Sequence, residues 1–135
     1  MSSPDENALL HTGDLLSPFV HGNTIDGRDL DYEQLWQHRN VVLFVLPAQT
    51  SHGVQEYLRA VNHELSALEP LDTTLMISHE SGNGLPMNSV LIADRWGEIA
   101  EAVRLESDPA RWPRPSELIA WVEFVRGQCP ECPPY

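Results

Sequence analysis

Val41-Val42-Leu43-Phe44-Val45-Leu46-Pro47 is the stretch on which the fold turns. It is an unbroken apolar run, rich in β-branched valine, closed by a proline. A strand wetted on one face alternates apolar with polar side chains. A continuous apolar run of this length is the pattern of a central parallel strand covered on both faces. Just downstream, Val54, Tyr57, Leu58, Val61, Leu65 and Leu68 recur at helical spacing and share one face, predicting a helix over 54–69. Arg59, Asn62, His63, Glu64 and Glu69 fall mostly on the other faces, and Pro70 ends the helix.

Outward from this unit, Thr73–Ser78 reads as a second strand, Glu80–Gly84 as a loop and Ser89–Ala93 as a third strand. Asp94-Arg95-Trp96-Gly97 makes a turn into a fourth strand over 98–105. A proline-rich connection over 107–115 leads to a last helix capped by Ser116. Its apolar face is Leu118, Ile119, Val122 and Val125, and Gly127 is its stop. Upstream, His21–Arg28 has the Gly and Asx spacing of a hairpin. A short helix follows, with Asp31 as cap, Gln34 completing a capping box, and Leu30 and Leu35 as staple. The predicted organisation is a flexible N-terminus over 1–12, one domain over 13–126, and a Cys- and Pro-rich tail over 127–135.

The composition narrows the function classes. With 20 acidic against 8 basic residues, the formal net charge is -12. A surface so negative repels phosphate backbones and anionic membranes, so neither a nucleic-acid nor a membrane partner is expected. No stretch approaches the roughly 18–20 apolar residues of a membrane span. The start Met1-Ser-Ser-Pro-Asp-Glu-Asn7 has no basic or apolar run, so no signal peptide is read there and a cytoplasmic location is the expectation. Cys129 and Cys132 are the 2 cysteines of the chain, a pattern that implies no disulfide framework.

The order of these pieces resembles the thioredoxin-like superfamily, and more narrowly its peroxiredoxin or redoxin branch. Gly13-Asp-Leu-Leu-Ser-Pro-Phe19 is similar to that branch's opening "G-x-x-x-P-x-F". Asp26-Gly27, Leu35 and Val41–Phe44 are similar to its hairpin, short helix and first core strand. Leu85-Pro86 followed by Val90–Gly97 looks like its cis-proline loop, strand and "D-x-x-G" turn, and Pro115–Trp121 like its terminal helix. The resemblance implies an α/β, thioredoxin-like fold: a central mixed four-stranded sheet flanked by helices, with an N-terminal β-hairpin extension. The branch usually has a helix between its second and third strands. Here only His79 to Met87 intervene, enough for a loop over the end of the first core strand.

Where the branch carries "T-x-x-C-x-x-E", this chain reads Thr50-Ser51-His52-Gly53-Val54-Gln55-Glu56, keeping Thr and Glu but placing Gly53 at the cysteine. Overlaid on the thioredoxin "C-x-x-C", Thr50–Gly53 lacks both cysteines. The branch's arginine before the third strand is missing as well, with Asn88 near its place. A thiolate at a helix N-terminus is the nucleophile of this chemistry, stabilised by the dipole and free N–H groups. Neither Thr nor Gly replaces it, so ordinary peroxidase or thioredoxin turnover is not expected.

Two candidate sites follow. Thr50, Ser51, His52, Gly53, Glu56, His79, Glu80 and Pro86 would gather at one end of the sheet. The family's habit of holding extended chains beside the cis-proline implies a protein or peptide partner there. Imidazole and carboxylate together can hold a metal or relay protons, but their spacing is not that of a ligand set. The second site is Cys129-Pro-Glu-Cys132, able to form a disulfide or to give two metal ligands. It follows a helix C-terminus, whose negative end raises a thiol pKa. A homodimer pairing two tails would supply four thiolates for zinc or iron; otherwise no cofactor is expected. The expected function is a partner-binding module with redox- or metal-sensitive tail cysteines. The alternative is a thiol-disulfide oxidoreductase using Cys129 and Cys132.

Overall fold

Hydrophobic burial sorts this chain into a sheet with one helical and one non-helical cover. The computed structural model describes residues 12–67, 73–79 and 85–126. Strand β1 (His21–Asn23) and strand β2 (Asp29–Asp31) form the hairpin, and β3 (Asn40–Val45) carries most of the apolar run Val41–Leu46. Helix α1 (His52–Ser66) crosses to β4 (Thr73–Ser78). Strands β5 (Ser89–Ala93) and β6 (Ile99–Arg104) follow, and α2 (Pro115–Arg126) ends the described chain.

All of β3 is buried, as its unbroken apolar sequence predicts. It pairs parallel with β4 on one side and antiparallel with β5 on the other, and β5 pairs antiparallel with β6. The connection from β4 to β5 therefore crosses the end of β3. Leu85 within it is buried against the sheet. The expected four-stranded core is present as β4-β3-β5-β6, but it is not the whole sheet. The hairpin joins it edge-on through Asn23 opposite Ile77, giving one six-stranded sheet in the order β2-β1-β4-β3-β5-β6.

The period of a strand splits the core in two. Val42, Phe44, Ile77, Val90 and Ile92 face α1 and α2, which bury Val54, Leu58, Val61, Leu65, Leu118, Val122 and Val125 against them. Val41, Leu43, Val45, Met76 and Leu91 face the other way. No α-helix covers that second face among the described residues. Leu16, Val20, Tyr32, Leu35 and Leu85 cover it, from the N-terminal segment, the turn after β2 and the β4–β5 connection.

Local chemistry explains where the elements differ from the sequence reading. The short helix after the hairpin is a single 3-10 turn over Tyr32–Gln34. Gln34 Oε1 does accept from the Asp31 N–H at 3.3 Å. The chain then leaves helical conformation at Gln37, whose φ is +69°. Helix α2 begins at Pro115, not after Ser116. The Arg114 carbonyl already accepts from Glu117 and Leu118, and proline at the first helical position sacrifices no bond. Leu68, Pro70 and Gly127, and the flexible terminus and tail read from the sequence, lie outside the described residues.

Candidate functional site

The site is built where β3 hands over to α1. Ser51 is in extended conformation, and its Oγ accepts from the Val54 N–H at 3.3 Å, capping α1. The Ser51 carbonyl accepts from Gln55 at 3.1 Å. His52 and Glu56 sit one turn apart and pair, Nε2 to Oε1 at 2.9 Å, both largely exposed. Gly53 is exposed with no close neighbour around its Cα, its hypothetical Cβ meeting nothing nearer than the Ser51 hydroxyl at 3.9 Å. The first two turns of α1 with their cap therefore carry hydroxyl, imidazole and carboxylate, and no thiol.

His79 follows β4 directly. Its Nδ1 lies 2.9 Å from the Leu46 carbonyl, an acceptor only, so Nδ1 carries the proton and donates. That bond fixes the ring and leaves Nε2 as the atom open to a ligand or proton. Thr50 and His79 line one hollow of about 280 Å³ together with Leu46, Gln55 and Arg59. The hairpin tip, Asn23 to Gly27, forms its far wall.

The remaining predicted residues do not line that hollow. Ser51, His52, Gly53 and Glu56 lie on the exposed start of α1. Pro86 is buried, and its carbonyl accepts from Ser89 Oγ at 2.6 Å. Asn88, at the arginine position of the resemblance, has φ +60°. Its N–H donates to the Val45 carbonyl and its own carbonyl accepts from Leu105, so its backbone stitches β3 to β6. Left-handed geometry favours asparagine at such a point. Glu80, Cys129 and Cys132 lie outside the described residues. Among the described residues, no three His, Cys, Asp or Glu side chains gather closely enough to hold a metal ion.

Two further placements constrain the chemistry. Phe124 near the end of α2 lines a hollow with Gly13, Asp94 and Glu98. Asp94 follows β5, whereas α1 starts beside the opposite end of that strand, where Val45 pairs Ser89. The end of α2 and the start of α1 are thus at opposite ends of the sheet. Sequence reasoning also missed Arg59, Gln55 and the hairpin tip as parts of the Thr50–His79 hollow. Nothing local marks them, since their proximity arises only when β1 docks on β4.

This arrangement is a thioredoxin-like fold. The structure is similar to that of a thiol:disulfide interchange protein, a thioredoxin family protein from Chlorobium tepidum TLS. The TM-score is 0.55 at 11% identity, over 87% of this chain and 98% of that chain. The sequence matches no family model, and no curated protein is significantly similar to it. Among the described residues no helix is long and apolar enough to cross a membrane.

Proposed function

We propose that this chain is a redoxin-like protein without the branch's thiol chemistry, acting by binding a protein or peptide partner at the end of the sheet where α1 begins. The observation that carries this reading is the first turn of α1. It keeps an exposed, capped helix start, yet offers Ser51, His52 and Gly53 where a nucleophilic thiolate would stand. Hydroxyl and imidazole hydrogen-bond a partner's backbone, but they do not exchange disulfides. The structural similarity to a thiol:disulfide interchange protein keeps one alternative in view, turnover through Cys129 and Cys132.

Purified protein and its Cys129→Ser/Cys132→Ser variant, assayed for hydrogen peroxide consumption and insulin reduction, test this. Both should be inert, at least about a hundredfold below a competent thiol enzyme, since general acid–base groups alone contribute far less than an activated nucleophile. Turnover in the parent that disappears in the variant would establish the tail-dithiol enzyme instead. Turnover surviving in the variant would overturn both readings.

A further inference from the structure

The outer edge of β4 is only half used. The Leu46 N–H donates to the Ser78 carbonyl. In a parallel ladder the groups aimed at the neighbour alternate along the strand. Thr74, Met76 and Ser78 therefore turn their backbone toward β3, and Thr73, Leu75 and Ile77 turn theirs outward. Ile77 is taken by Asn23 of β1, which pairs with β4 at that one position. The Thr73 carbonyl accepts from Arg39 Nη2 at 3.3 Å. The Leu75 N–H and C=O have no partner among the described residues, although Leu75 is only 4% exposed. An unpaired buried peptide group is costly, and a strand laid alongside would satisfy it.

A hollow of about 270 Å³ runs along this edge, between Thr73–Leu75 and the hairpin tip at Thr24–Asp26. It draws on both faces of β4, as an edge site must, since Thr74 and Leu75 point to opposite sides. The Thr50–His79 hollow continues it end to end, the two sharing Thr24, Ile25 and Asp26. Together they follow the seam between α1 and β4 from Thr73 to His79, about 20 Å at strand rise, the length of roughly six extended residues.

The charge along the seam selects the occupant. Arg39 lines one hollow and Arg59 the other, against a single carboxylate, Asp26, which borders both. Neither has a carboxylate partner among the described residues, in a chain with 20 acidic and only 8 basic residues. Arg39 donates to Thr74 Oγ1 and to the Thr73 carbonyl, which holds its guanidinium against the edge of β4, and its charge, like that of Arg59, is paired with no carboxylate among the described residues; two such groups fit acidic side chains. We infer that an extended acidic peptide adds as a strand to the open edge of β4 at Leu75, beneath the hairpin tip, with Arg39 and Arg59 receiving its carboxylates. At its Thr50–His79 end this site adjoins the partner surface proposed above, but the open edge at Leu75 and the Arg39 end lie outside that surface and do not depend on it.

Titration of the isotope-labelled full chain with acetyl-Val-Glu-Val-Glu-Val-Glu-amide, followed by NMR, tests the inference. Shifts should centre on Leu75, Thr24 and Asn62, and amide exchange at Leu75 should slow at least about tenfold at saturation as its N–H gains a partner. Arg59 is exposed and makes no structural bond, so Arg59→Gln should fold normally and weaken binding about fivefold or more, the loss of one charge-assisted pair. Absence of binding, unchanged Leu75 exchange, or equal affinity for the lysine counterpart of the peptide would overturn the inference. Shifts confined to Ser51, His52 and Pro86 would overturn it too, while supporting the partner surface proposed above.

Discussion

Tyr32 and Tyr57 are both phenols held in the core, and they differ in one atom's surroundings. Tyr32 is fully buried, and its hydroxyl has no hydrogen-bond partner among the described residues. It lies against Gly97, where an added Cβ would come within 3.1 Å of it and where φ is +86°. The Tyr57 hydroxyl instead donates to the Pro113 carbonyl at 2.5 Å. Removing a hydroxyl that bonds nothing costs nothing, whereas removing a satisfied one strands its acceptor. Tyr32→Phe should therefore leave stability at neutral pH unchanged or raised by up to about 1 kcal/mol, and Tyr57→Phe should lower it by about 1 kcal/mol. Urea unfolding of the two variants checks this; destabilisation by Tyr32→Phe would mean that its hydroxyl is bonded after all. Burial, and secondarily the carboxylates of Asp94 and Glu117, hold these phenols above their ordinary value of 10.0. Above that pH the unfolded chain loses protons that the folded chain keeps, so stability falls as pH rises. Either substitution should flatten that decline.

The hairpin docks on the sheet through Asn23 opposite Ile77 and through Ser78 Oγ, which donates to the His21 carbonyl, and Gly22 between them permits the close approach. A Cβ there would lie 2.2 Å from the Ile77 carbonyl oxygen, a backbone atom that cannot swing aside. Gly22→Ala should cost about 2–3 kcal/mol and release β1 from β4, the cost of overpacking with no flexible neighbour to yield. Thermal unfolding measures the loss, and faster amide exchange at Ile77 locates it. The helices show how far local sequence carries. The face Val54, Leu58, Val61, Leu65 was legible because its spacing is the helix period itself. Tyr57, on the same face, is only half-buried. It stands edge-on between Phe44 and Trp112, at ring centroid distances of 5.9 and 5.1 Å. The 3-10 turn at Tyr32 resembles a short helix in sequence because its capping box is present, while the left-handed Gln37 three residues past its end carries no signal in its residue type.

At the scale of the molecule, net charge -12 works against compactness. Among the described residues the carboxylates find few cations. Arg111–Glu106 is an exposed ion pair, and Asp31 and Glu56 are met by the imidazoles of His21 and His52, which add a cation only when protonated. Self-repulsion of this kind is screened by salt. Raising sodium chloride from about 0.02 to about 0.3 M, across which the screening length shortens from roughly 20 Å to under 10 Å, should raise Tm by a few degrees. An unchanged or falling Tm would mean that local pairing outweighs the net field.

The sequence by itself determined the strands, the two long helices and their buried faces, because burial writes its period directly into residue order. It also determined that no sulfur stands at the start of α1. The tertiary structure alone decided that the hairpin extends the sheet, that both helices share one face, and that Arg59, Thr50 and His79 border one hollow. Those facts depend on which edges meet, and edge pairing is made by backbone groups that every residue carries alike.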